Sequence, residues 1–99
     1  MIDDIIDSDV EDLICIVKLR FSDFGLVFKY DIRRTNNSVC YEVHYDSQSK
    51  AGSILVGSIV FYNDYLRCYL KYNEKHLYYY DNLDIDILVG LFLCEAYYG

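Results

Sequence analysis

The chain has 99 residues, 54% of them apolar, with a formal charge of −7 and neither Pro nor Trp. That length makes one domain, spanning 1–99, with no room for a second core. The apolar share is enough to build that core without metals or disulfide staples and excludes a disordered chain.

The charge is unevenly placed. Asp3, Asp4, Asp7, Asp9, Glu11 and Asp12 put six acids and no base in the first twelve residues. From Leu13 to Tyr80 nine bases outnumber six acids, and Asp81 to Gly99 adds four acids and no base. The residue usage resembles that of an AT-rich coding sequence, which accounts for the twelve Tyr. It does not account for twelve Asp against five Lys, so the acids reflect selection for charge.

The acidic start sets Ile2, Ile5 and Ile6 at helical spacing, so a short acidic helix is expected over Ile2 to Asp7. Ser8-Asp9-Val10-Glu11 matches a capping box. A helix starting there would carry Val10, Leu13, Ile14, Val17, Phe21 and Phe24 on one stripe. It would leave Ile16 and Leu19 off that stripe, whereas Val17 to Ser22 alternates cleanly. A strand from about Leu13 is therefore the preferred reading, with any helix confined to the acidic segment.

Ser22-Asp23-Phe24-Gly25 reads as a hairpin turn, with Gly25 supplying a positive φ. Leu26, Phe28, Tyr30 and Ile32 then share one face, and Lys29, Asp31 and Arg33 the other. After a turn at Thr35 to Ser38, Val39, Tyr41, Val43 and Tyr45 oppose Cys40, Glu42, His44 and Asp46. A loop over Ser47 to Ser53 leads to a β-branched strand at Ile54 to Tyr62. Asn63-Asp64 turns into Tyr65 to Tyr72, with Leu66, Cys68, Leu70 and Tyr72 inward. Asn73-Glu74-Lys75 turns into His76 to Tyr80. Last, Asp81 or Asn82 caps a helix whose Ile87 to Cys94 run is apolar all round, which suits burial on more than one side. That run is too short to span a bilayer and is flanked by acids. The expected architecture is α+β: an antiparallel β-meander of about five to six strands, a C-terminal helix packed on one face, and a short acidic N-terminal helix.

No Gly-rich phosphate loop, HExxH pair, Ser nucleophile elbow or EF-hand loop is present, so an enzyme is not expected. Cys15, Cys40, Cys68 and Cys94 lie 25, 28 and 26 residues apart, without the close pairing of zinc sites. The start has no basic region followed by an apolar run, so reduced thiols and a cytoplasmic location are expected. Cys40 and His44 lie roughly 7–14 Å apart along their strand, too far for the base to activate the thiol. His44 and Asp46 have no evident further metal ligands, and Asp3, Asp4 and Asp7 offer too few oxygens for calcium. His76 reads as an exposed turn residue. Neither a catalytic residue, nor a metal, nor a cofactor is expected.

What remains is binding. Tyr65 and Tyr69 alternate with Arg67 and Lys71 on an outward face, with Tyr78 to Tyr80 on a neighbouring strand. Such a face can stack on bases, but −7 opposes phosphate attraction, so direct nucleic-acid binding is not expected. Tyr and Arg also serve as anchors in protein interfaces, or simply fill a half-wet sheet. Six acids exceed what helix capping needs. The expectation is a small inhibitor that docks on a basic nuclease or nucleic-acid-binding effector. Toxin immunity and phage anti-defence, anti-CRISPR inhibitors and DNA mimics included, are settings of that shape. Asp3, Asp4, Asp7, Asp9, Glu11 and Asp12 would steer, and Tyr65, Tyr69 and Tyr78 would anchor. The alternative is a homo-oligomeric structural module, a homodimer for example, or a small-molecule-binding module.

Overall fold

The computed structural model describes residues 8–34, 38–46, 52–71 and 74–98, and the side chains among them except 31–34 and 98. The short helix expected over Ile2 to Asp7, the turn at 35–37 and most of the loop at 47–53 lie outside these residues, as do Asp3, Asp4 and Asp7. The elements are α1 (Ser8–Ser22), β1 (Leu26–Arg34), β2 (Ser38–Asp46), β3 (Ser53–Tyr62), β4 (Tyr65–Leu70), β5 (Lys75–Tyr79), a 3-10 turn at Tyr80–Asn82, and α2 (Ile85–Tyr98). The five strands form one antiparallel meander in chain order, as the alternation implied. Together with the two helices it makes an α+β fold.

The segment from Leu13 to Ser22 is helix, not strand. Val10, Ile14, Val17 and Phe21 form its buried stripe at helical spacing. Ile16 and Leu19, which the helical stripe had to leave out, stand 53% and 70% exposed. Ser22 to Gly25 accordingly ends a helix rather than turning a hairpin. The Asp23, Phe24 and Gly25 N–H groups donate to the carbonyls of Leu19, Phe21 and Ser22. Gly25 then takes φ +83°, where a side chain is strained, and its carbonyl accepts from Asp46 N–H at 2.7 Å.

Both helices lie on the same face of the sheet. Leu26, Val39, Val43, Val56, Ile59, Phe61, Leu66, Cys68 and Leu70 line that face and join Val10, Ile14, Val17 and Phe21 of α1 and Leu88, Val89 and Phe92 of α2 in one core. Phe21 sits at its centre, edge-on to Phe28 at 5.4 Å and tilted against Phe92 at 5.5 Å. Asp84, not Asp81 or Asn82, caps α2: its carboxylate accepts from Asp86 N–H at 3.0 Å. Asp81 and Asn82 are taken up by the preceding 3-10 turn. α2 is also less enclosed than its composition suggested. Ile87, Gly90, Cys94 and Tyr97, spaced as one helical stripe, are exposed. The sheet and α1 cover only the opposite side.

One irregularity in β3 shapes the middle of the sheet. Val43 pairs with Gly57 but His44 with Leu55, so β3 inserts an extra residue there and Val56 turns into the core. At Gly57 the β4 backbone comes close: a Cβ there would stand 2.2 Å from the Tyr69 carbonyl oxygen. Gly57→Ala should therefore cost about 1–3 kcal/mol, by overpacking against backbone that cannot swing aside. Gly90 on α2 has open space around its would-be Cβ. Gly90→Ala should stabilise by about 0.5–1 kcal/mol through helix propensity. Urea denaturation of the two variants should shift the midpoint in opposite directions, and a shared sign would contradict this account of the bulge.

Candidate partner-binding face

Because both helices pack on one side, the other side of the sheet is left uncovered by either. The register determines what it displays. Cys40 pairs with Val60 and Val60 with Arg67, which pairs with Leu77. Glu42 pairs with Ser58, Ser58 with Tyr69, and Tyr69 with Lys75. Tyr65 pairs with Tyr79. The open face thus carries polar and charged residues on β2 and tyrosines around Arg67 on β3 to β5.

The tyrosines form a contiguous platform. Tyr62 stacks on Tyr65 across the Asn63-Asp64 turn, with ring centres 4.7 Å apart and planes 18° apart. Tyr65 tilts against Tyr79 at 5.8 Å. A hydrogen bond to Tyr69 raises the Arg67 pKa, against the opposing effect of desolvation, and the Tyr65 and Tyr62 hydroxyls add to the rise. The guanidinium is therefore tied to the Tyr69 phenol, with Tyr65 and Tyr62 near enough to influence it, and its Nε is buried and without a partner. Tyrosine and arginine side chains gathered on one face are typical anchors in protein interfaces.

Of the expected anchors, Tyr65 and Tyr69 stand on this face and Tyr78 does not. Tyr78 pairs with Leu66, turns toward the helices and packs against the core. Burial, then the neighbouring Cys68, raises its pKa. Tyr79 takes the outward position instead, 57% exposed. His76 shares the inward parity of Tyr78. It is half-buried opposite Cys68 and stacks on Tyr78 at 6.4 Å, rather than standing free in a turn. Tyr62 was not singled out in the sequence, since only the two-residue turn brings its ring onto Tyr65.

On β2, His44 Nε2 donates to Glu42 Oε1 at 2.9 Å. That contact joins two members of the Cys40, Glu42, His44 and Asp46 row without enlisting Cys40. Among the described residues no three His, Cys, Asp or Glu side chains gather as a metal site. None of the described helices is long and apolar enough to cross a membrane.

Asp9, Glu11 and Asp12 are exposed at the start of α1. Glu11 lines a shallow hollow of about 250 Å³ with Ile14, Cys15, Lys18, Val39 and Tyr41. Val39 pairs with Phe61, and Ser38 with Tyr62. The acidic helix start and the tyrosine platform therefore share one end of the sheet, on opposite layers. Two further acids gather there. Asp64 sits exposed in the β3–β4 turn, and its carbonyl accepts from Tyr80 N–H at 3.4 Å, which brings the exposed Asp81 alongside. β1 ends there too, at Arg33 and Arg34, but on the far edge from β4 and β5. Comparison with family models, curated proteins and solved structures finds no match for this chain.

Proposed function

We propose that the chain is a small acidic binding protein that docks on a basic, nucleic-acid-handling protein in the cytoplasm and neutralises it, as toxin-immunity and phage anti-defence inhibitors do. The observation that carries this reading is the sheet face left uncovered by both helices, where Tyr62, Tyr65 and Tyr69 gather near Arg67 and Tyr79 packs on Tyr65, beside an acidic end. Asp9, Glu11, Asp12, Asp64 and Asp81 would steer a basic partner toward that end, and the tyrosines would set how long it stays. Steering acts through encounter rate and is screened by salt, whereas buried aromatic anchors act through dissociation.

The test starts from affinity capture in the native host with the wild-type chain as bait, at low and high salt. The captured protein is then bound in vitro to the wild type and two variants. Asp9→Asn/Glu11→Gln/Asp12→Asn should slow association and flatten its salt dependence. Tyr65→Ala/Tyr79→Ala should leave association nearly unchanged and speed dissociation, by about 2 kcal/mol or more if both are anchors. A partner that is acidic, or kinetics indifferent to both variants, would remove the proposal.

A further inference from the structure

The two edges of the sheet are built differently. β1 breaks its ladder twice, between Phe28 and Asp31 and between Asp31 and Arg33, and its sequence carries Lys29, Asp31, Arg33 and Arg34. Bulges and charges of that kind blunt an edge against strand addition. β5 pairs with β4 from Lys75 to Tyr79 without irregularity. Lys75 is its only fixed charge, and Leu77 and Tyr79 stand 40% and 57% exposed on its outward side. Neither helix makes its main packing contacts at β5; α1 and α2 lie against β1, β2 and β3.

The direction of the β5 backbone groups follows from its two ends. Glu74 C=O accepts from Leu70 N–H at 2.9 Å, and Tyr80 N–H donates to Asp64 C=O. Residues of an antiparallel strand alternate between aiming both backbone groups at the neighbour and aiming both away. His76 and Tyr78 share the orientation of Glu74 and Tyr80, so the N–H and C=O groups of Lys75, Leu77 and Tyr79 point away from β4.

We propose that this edge pairs with β5 of a second copy of the chain, antiparallel about a two-fold axis at Leu77. That register sets Leu77 beside Leu77 of the second copy and each Lys75 beside the other copy's Tyr79. Every backbone group that β4 leaves free then meets its complement. A shift of one residue sets free groups against occupied ones and turns one open face to the wrong side. A shift of two keeps the faces but leaves residues overhanging at each end. The charges are self-complementary as well: each Lys75 approaches a tyrosine ring, with Asp81 two residues beyond, and no like charges face each other. The sheet becomes continuous across the axis, with helices on one side and a doubled tyrosine platform on the other.

Sedimentation equilibrium of the full chain over a wide concentration range tests this, with amide hydrogen exchange alongside. The wild type should pass from monomer to dimer. Protection of the Leu77 and Tyr79 amides should rise with concentration, while His76 and Tyr78, held by β4, stay protected throughout. Leu77→Pro removes an N–H that β4 does not use and is tolerated at an edge. Leu77→Lys sets two ammonium groups on the axis. Each should weaken the dimer at least about tenfold. A chain that stays monomeric at the highest concentration, leaving the edge to some other strand, would overturn the proposal. So would a dimer indifferent to both substitutions. Should either variant fail to fold, the concentration dependence of the wild-type Leu77 amide decides alone.

Discussion

Replacing Phe21 with alanine should destabilise the protein by about 3–5 kcal/mol, close to the whole stability of a small domain. The side chain is fully buried and touches Phe28 and Phe92, so it joins α1 to β1 and to α2 at one point. The cavity would open between three elements that cannot collapse together, which places the cost toward the upper end of that range. Leu19, two residues away, is 70% exposed, and Leu19→Ala should stay within about 0.5 kcal/mol. The pair separates the two readings of this segment. In a strand, Leu19 and Phe21 share a face and lose comparable amounts; in α1 they lie on different faces. Guanidinium denaturation of both variants measures the difference, and equal losses would contradict the helix.

That ambiguity shows what the sequence could and could not disclose. Leu13 to Phe21 satisfies a period of two and a period of 3.6 together, so periodicity alone does not decide. The capping box at Ser8 and Glu11 was the signal that pointed to the helix, and exposed Ile16 and Leu19 need no explanation in a helix lying on a sheet. The meander itself was legible because its turns are short and its strands alternate. Inward Val39, Tyr41, Val43, Leu66, Cys68 and Leu70 followed directly from that alternation. The parity of β5 was not legible: five residues give too little pattern, and a one-residue change in the preceding turn moves every side chain to the other face. Hence Tyr79, rather than Tyr78, reaches the open face, and His76 turns inward. The acidic end was half legible. Asp9, Glu11 and Asp12 are consecutive enough to be seen, whereas Asp64 joins them only through the β2–β3 pairing and Asp81 only through the bond from Tyr80 N–H to the Asp64 carbonyl.

Stability should also fall steeply at alkaline pH, and the direction follows from Cys68. The thiol is fully buried between Ile59 of β3 and His76 of β5, and burial pushes its pKa from 9.0 up to about 12. A folded-state pKa raised in this way keeps the thiol neutral in the native protein while the unfolded chain ionises. Stability is therefore intact below about pH 9 and is lost progressively until about pH 12, where the native thiol ionises too. At 1.36 kcal/mol per pH unit the loss from this group reaches about 4 kcal/mol. Tyr80 acts in the same direction: burial first, and Asp64 second, hold its hydroxyl neutral, and that hydroxyl donates to the Tyr62 carbonyl. Its ionisation would remove the donor that holds the Tyr62 end of the platform. Cys68→Ala should be less stable than the wild type at pH 7, with the gap narrowing as pH rises from about 9 toward 12. Tyr80→Phe should lose about 1 kcal/mol at neutral pH, for the missing hydrogen bond, and should also respond less to alkali. Urea denaturation at a series of pH values reads both slopes. Curves for Cys68→Ala that run parallel to the wild type would mean that the thiol titrates alike in the folded and unfolded chain, and the burial argument for Cys68 would fail.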